Sequence, residues 1–142
     1  MKMKRRISLM LAVLLVLSSA LLTAGCGDKT QRGKEPAVKT VEIMLSIDYP
    51  RSAEMEDVKA VPFKIEEGSS ALETIELYCN VNEMPVAVEI TSGTVIGIND
   101  LLNGDVFANR TWKYMVNGEL MEKSARKVIL EDGDSLEWIY TK

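Results

Sequence analysis

The longest stretch of strict alternation covers residues 39–49, where Val41, Ile43, Leu45, Ile47 and Tyr49 are separated by Glu42, Met44, Ser46 and Asp48. Side chains of an extended chain point to opposite faces in turn, so this period of two predicts a strand with one buried face. Polar and small residues interrupt the pattern at 50–57, and Val61, Phe63 and Ile65 resume it. Pro62 falls inside the second run. It has no N–H to give a ladder, which predicts a strand at an edge of the sheet. The period then changes: Leu72, Ile75, Tyr78 and Cys79 recur at helical spacing, and Ser70 followed by Glu73 carries the signature of a capping box. A helix over residues 70–80 is predicted, with Glu73, Thr74 and Glu76 on its solvated side.

Runs rich in β-formers return at residues 85–90 and 94–98, parted by Ser92-Gly93, and Asn103-Gly104-Asp105 marks a loop. Residues 110–116 alternate again, with Trp112, Tyr114 and Val116 on one face and Thr111, Lys113 and Met115 on the other. Asn117-Gly118 follows directly and predicts a tight hairpin, because both turn positions need positive φ. Beyond the Asp132-Gly133-Asp134 turn, residues 135–141 set Leu136, Trp138 and Tyr140 on a common face. Two strands, one helix, then further strands with the last running back through the middle predict an α+β fold. The plan is the ubiquitin-like β-grasp, a mixed sheet with a single covering helix and its other face partly open. A helix-decorated sandwich is the competing plan, and it asks for more strands than the chain supplies.

The N-terminus has a different character. Lys2, Lys4, Arg5 and Arg6 precede an uncharged run over residues 7–24, and the segment closes on Leu21-Leu22-Thr23-Ala24-Gly25-Cys26. These are the three parts of a secretory signal. The closing residues resemble the lipobox of bacterial lipoproteins, with Thr23 where that family usually has leucine. The resemblance implies a signal peptide over 1–25, diacylglycerol on the thiol of Cys26 and removal of the preceding segment. An uncleaved apolar anchor is the competing reading, and either one puts the rest of the chain outside the cytoplasm. Residues 26–38 carry Gly, Lys, Thr, Gln and Pro without apolar periodicity, as expected of a flexible tether. The folded domain is then residues 39–142.

Loss of residues 1–25 takes away four of the 17 basic residues and none of the 21 acidic ones, leaving 13 against 21, a net charge of −8. Such a surface repels phosphate backbones and anionic headgroups, so nucleic acid is excluded as a partner and membrane attachment falls to the lipid on Cys26. The chain has no histidine, and with Cys26 lipidated Cys79 has no disulfide partner. The commonest general base and the commonest metal ligand are thus missing, which argues against an enzyme. Short acidic groups at Glu54-Glu56-Asp57, Glu66-Glu67 and Glu131-Asp132-Asp134 lack the spacing of a calcium loop and read as solvated turns, so no metal site is expected.

Residues 94–99 (TVIGIN), 112–118 (WKYMVNG), 130–134 (LEDGD) and 137–140 (EWIY) resemble the domain of unknown function numbered 4430, DUF4430. That family is similar to the C-terminal β-grasp domain of the cobalamin carriers transcobalamin and intrinsic factor. The resemblance covers residues 39–142 and implies an extracytoplasmic, ligand-binding β-grasp, with a corrinoid as one candidate ligand. Asp100 stands where the family's Ile-Asn is commonly followed by glycine, which predicts a different turn there. The carriers hold cobalamin between a helical domain and the β-grasp, and no such helical stretch is seen in this sequence, so corrinoid binding by this chain alone is not expected.

Trp112, Tyr114, Trp138 and Tyr140 supply half of the aromatic residues, and adjacent strands can bring them together. With Asn99, Asn103, Asn109 and Asn117 they can form a platform that stacks on a ring while amides meet its polar edge. Trp112, Tyr114, Asn117 and Asn99 are the candidate ligand-binding residues. The alternation equally fits a core cluster, because the same face carries Val116 and Leu136. Two functions follow: a membrane-anchored module that binds a small molecule, cofactor or glycan, or a protein-interaction or structural domain of the envelope that meets a surface protein partner.

Overall fold

The computed structural model describes residues 37–142; the expected signal peptide 1–25, the expected lipidation at Cys26 and the expected tether up to residue 36 lie outside the described residues. The alternating first run forms β1 (Thr40–Asp48), which buries Ile43, Leu45 and Ile47 completely. A short 3-10 turn at Arg51–Ala53 leads to β2 (Val58–Glu66), antiparallel to β1. Pro62 lies opposite Met44 on this outermost strand, where its missing donor leaves no ladder bond unmade. Ala60 has a positive φ of 44° at a bulge, and its N–H is taken by Ser46 Oγ at 3.0 Å.

Helix α1 (Ala71–Val81) starts at Ser70 with both halves of the capping box made. Ser70 Oγ accepts from Glu73 N at 3.2 Å and Glu73 Oε2 accepts from Ser70 N at 2.8 Å. The bonds that Ser70 N–H and then Ser70 Oγ donate to Oε2 hold the Glu73 carboxyl below its ordinary range. Leu72, Ile75 and Cys79 are buried as the spacing requires, whereas Thr74 departs from the expected solvated side. It is fully buried, and its hydroxyl donates to Ser70 O at 2.8 Å, so the side chain satisfies itself within the first turn. Burial pushes the Cys79 thiol up to about 11.

After α1 come β3 (Val86–Glu89), β4 (Thr94–Ile98) and β5 (Leu101–Leu102), then β6 (Thr111–Val116), β7 (Glu119–Leu120) and β8 (Ser135–Thr141), with a second 3-10 turn at Ala125–Lys127. The main sheet has the order β2-β1-β8-β6-β7; β8 runs parallel to β1 and antiparallel to β6, which makes the sheet mixed. The last strand therefore occupies its centre, as a β-grasp requires, and the fold is α+β. One feature differs from the expected plan. Strands β3, β4 and β5 form a separate three-stranded sheet rather than joining the main one. Val95, Ile98 and Leu101 of this small sheet share a core with α1 and with the inward residues of β1, β6 and β8, so the helix has a companion in covering the main sheet.

The two hairpins of this half with two-residue turns depend on positive φ. Asn117 (53°) and Gly118 (79°) link β6 to β7, while Asn99 (52°) and Asp100 (64°) link β4 to β5. Asp100 thus adopts the left-handed conformation that favours glycine. Aspartate, like asparagine, tolerates this region at less than the cost of about 1–2 kcal/mol that other side chains incur, and glycine costs about 0.5–1 kcal/mol in extra unfolded freedom. Asp100→Gly is therefore expected to leave stability within about 0.5 kcal/mol of wild type, and the urea midpoint checks it; a clear rise would show that Asp100 is strained.

Candidate functional site

The antiparallel register of β6 and β8 places Trp112 opposite Tyr140 and Tyr114 opposite Trp138. The predicted aromatic neighbourhood therefore forms. Tyr114 and Trp138 stack with centroids 5.1 Å apart, and Trp112 meets Tyr140 and Tyr49 edge-on at 5.5 and 5.6 Å. No ring of the four is more than 6% exposed. Their faces are spent on one another, and no stacking surface is left for a ligand.

The polar tips are mostly satisfied as well. Trp112 Nε1 donates to Leu101 O at 2.8 Å, Tyr140 Oη to Leu102 O at 3.2 Å and Tyr114 Oη to Lys123 O at 2.6 Å. The exceptions are Trp138 Nε1 and Tyr49 Oη, both buried and without a hydrogen-bond partner. Burial pushes the Tyr49 phenol up to about 12, and burial also raises Tyr114.

A cleft of about 350 Å³ opens beside this cluster. One wall is the turn into β4, Ser92 to Val95; the other is the irregular segment from Met121 to Ala125; Trp112, Tyr114 and Trp138 close its inner end. Its size falls at the small end of the range for ligand pockets, about 300–1,000 Å³. Both walls are built by side-chain bonds to backbone. Glu89 accepts from the N–H of Thr91 at 3.1 Å and of Ser92 at 2.7 Å, and its bonds to Ser92 and then Thr91 hold its carboxyl down at about 2. Ser92 Oγ donates to Thr94 Oγ1 at 2.7 Å. The two walls are tied together where Ser124 Oγ donates to Ser92 O at 3.1 Å. The exposed neighbours Glu122 and Lys123 at the rim have opposite charges, so the local field is mixed.

Of the four residues predicted to bind ligand, Trp112 and Tyr114 line this cleft and Asn99 and Asn117 do not. Asn117 Nδ2 donates to Asp134 Oδ1 at 2.8 Å and its Oδ1 accepts from Ser135 N at 2.9 Å, so the whole amide is engaged in joining two turns. Asn99 occupies the β4–β5 turn. Asn103 Oδ1 accepts from Trp112 N at 2.7 Å, and Asn109 lies exposed in the β5–β6 loop. Sequence reasoning missed Ser92, Thr94, Met121 and Ser124; Thr94 opens β4 and the other three lie outside regular elements, where no periodicity marks them.

Asp132 and Asp134 accept from the N–H groups of Glu42 and Glu131, at 2.9 and 2.8 Å. Among the described residues no group of three or more His, Cys, Asp or Glu could hold a metal ion, and none of their helices is long and apolar enough to cross a membrane.

A family profile described as a domain of unknown function, DUF4430, matches residues 68–142, more than half of the chain. No curated protein matches it by sequence. Among solved structures, haptocorrin in complex with Cbi, a cobinamide, is similar with a TM-score of 0.62 and 17% identity; the match covers 75% of this chain and 26% of haptocorrin. The likeness is one of fold, and the chain spans about a quarter of haptocorrin's length. A Ruminococcus gnavus protein proposed to bind metal, solved at 1.30 Å, is similar with a TM-score of 0.46 and 15% identity over 73% of this chain and 97% of that one.

Proposed function

Since the chain belongs to the DUF4430 family, we propose that its folded part is an extracytoplasmic binding module for a small molecule or cofactor, held at the membrane by lipid on Cys26. The observation that carries this reading is the cleft between Ser92–Val95 and Met121–Ala125, the concave place where aromatic and hydroxyl side chains converge. A net charge of −8 after residue 25 turns away polyanions, so the ligand is uncharged or cationic. A corrinoid is the first cofactor to try, because haptocorrin, of the same fold, holds Cbi. A glycan stacked on exposed rings is disfavoured by the burial of all four aromatics. The reading as a protein-interaction domain has less support. β7 is two residues long and β2 carries Pro62, so neither edge of the main sheet offers a long run for an added strand.

The lipidated full chain, in detergent, is titrated with corrinoids, haem, flavins and neutral oligosaccharides while tryptophan emission is followed. Saturable binding of an uncharged or cationic member is expected; no binding by any of them, or binding by polyanions alone, overturns the proposal. In the same expression host Cys26→Ser is expected to leave the membrane fraction or persist as precursor, and an unmodified Cys26 thiol in the mature protein defeats the anchor.

A further inference from the structure

The two tryptophans are both buried on the inward face of the main sheet, yet they differ in one respect. Trp112 Nε1 donates to Leu101 O, while Trp138 Nε1 has no acceptor. A buried donor without an acceptor is disfavoured, and native structures keep few of them. Trp138 lines the cleft, and the ring stacked on it, Tyr114, reaches across to the far wall and donates to Lys123 O. The far wall has no regular secondary structure between β7 and the 3-10 turn at Ala125–Lys127. It is fastened to the rest by Tyr114 Oη–Lys123 O, Ser124 Oγ–Ser92 O and Met121 N–Tyr114 O, the first two of which involve a side-chain hydroxyl.

We propose that residues 121–124 form a strap over the Tyr114–Trp138 pair, and that the cleft's ligand is a neutral molecule whose acceptor oxygen takes the Trp138 Nε1–H when the strap lifts. This rests on the reading of the cleft as the binding site and adds to it the ligand's key group and the residue that receives it. Lifting breaks two hydroxyl bonds and the Met121 N–Tyr114 O bond, all of which can re-form to water, and it relieves an unpaired donor. A carbonyl or ether oxygen suits the indole, which is a donor only. Polyanions are opposed at a distance by the net charge of −8 after residue 25.

Each tryptophan gives one indole resonance in a ¹H–¹⁵N spectrum of the full chain, and the two report different things. In Tyr114→Phe, which keeps the stacked ring and removes the tie to Lys123, hydrogen exchange at Trp138 Nε1 is expected to rise about tenfold while Trp112 Nε1 is unchanged. Equal acceleration at both, or none at either, overturns the strap. N,N-dimethylacetamide, a neutral carbonyl with no donor, is the probe for the acceptor. It is expected to shift the Trp138 indole signal alone, saturably, and at lower concentration in Tyr114→Phe; a signal that does not move overturns the assignment of Trp138. Failure of the cofactor titration with these signals responding defeats the proposed function and leaves the strap, whereas a cofactor that binds without moving Trp138 does the reverse.

Discussion

Trp112→Ala is expected to destabilise the domain by about 3–5 kcal/mol, the usual cost of emptying a buried tryptophan site. The indole is wedged edge-on between Tyr49 and Tyr140, and its N–H holds the backbone of β5 through Leu101 O. Truncation leaves a cavity and removes the bond to Leu101 O, where the small sheet meets the main one. Domains of this size are stable by about 5–15 kcal/mol, so the variant is expected to melt far lower or to be partly unfolded at 37 °C. Calorimetry of the variant beside wild type decides the matter: a melting temperature within a few degrees of wild type would mean that the ring is peripheral and free to serve a ligand.

Asn117→Ala is expected to cost about 2–3 kcal/mol, a large effect for an exposed residue. Two terms add. Alanine at φ 53° is strained by about 1–2 kcal/mol, and loss of the amide abolishes the bonds to Asp134 and Ser135, worth about 1 kcal/mol net. Asn117→Gly separates them: the strain is absent and only the second term remains, so its denaturation midpoint should fall between those of alanine and wild type. Coincident midpoints for the two variants would show that backbone strain contributes nothing. Ligand affinity should be unchanged in Asn117→Gly, since its amide is engaged away from the cleft.

The parts of the fold legible in the sequence are those where one face of an element is buried over several residues. Residues 41–49 announce β1 by alternation, Ser70 with Glu73 announces the start of α1, and Asn117-Gly118 announces a turn that nothing but positive φ can make. Pro62 even gave the order of a strand within the sheet, because a missing N–H has a positional meaning. Thr74 was misplaced because a pattern counts a hydroxyl as solvated, and only the geometry of the first helical turn shows that Ser70 O can satisfy it. The separate small sheet was hidden for another reason: β3, β4 and β5 span four, five and two residues, too short for their period to say which sheet they join. The site was the least legible. Juxtaposition of Trp112, Tyr114, Trp138 and Tyr140 followed from alternation, but the cleft walls are turns brought together by Ser124 and Ser92, 32 residues apart. The engagement of Asn117 depends on Asp134, 17 residues away, and no local pattern encodes it.

The parallel pairing of β8 with β1 joins Leu45 to Leu136 and fills the middle of the main sheet with the strand made last. During synthesis β1 and β2 can meet early, but they form only a two-stranded ribbon with its hydrophobic face open, and such ribbons are marginal in water. Closure of the core waits until residue 141 is available, and a contact of such long range is slow to form. The order of the strands thus postpones folding until β8 has been made, and the nascent chain stays threadable until then. Under the proposed export and lipid anchoring at Cys26, that delay would keep the chain fit to pass an export channel that admits only unfolded chain.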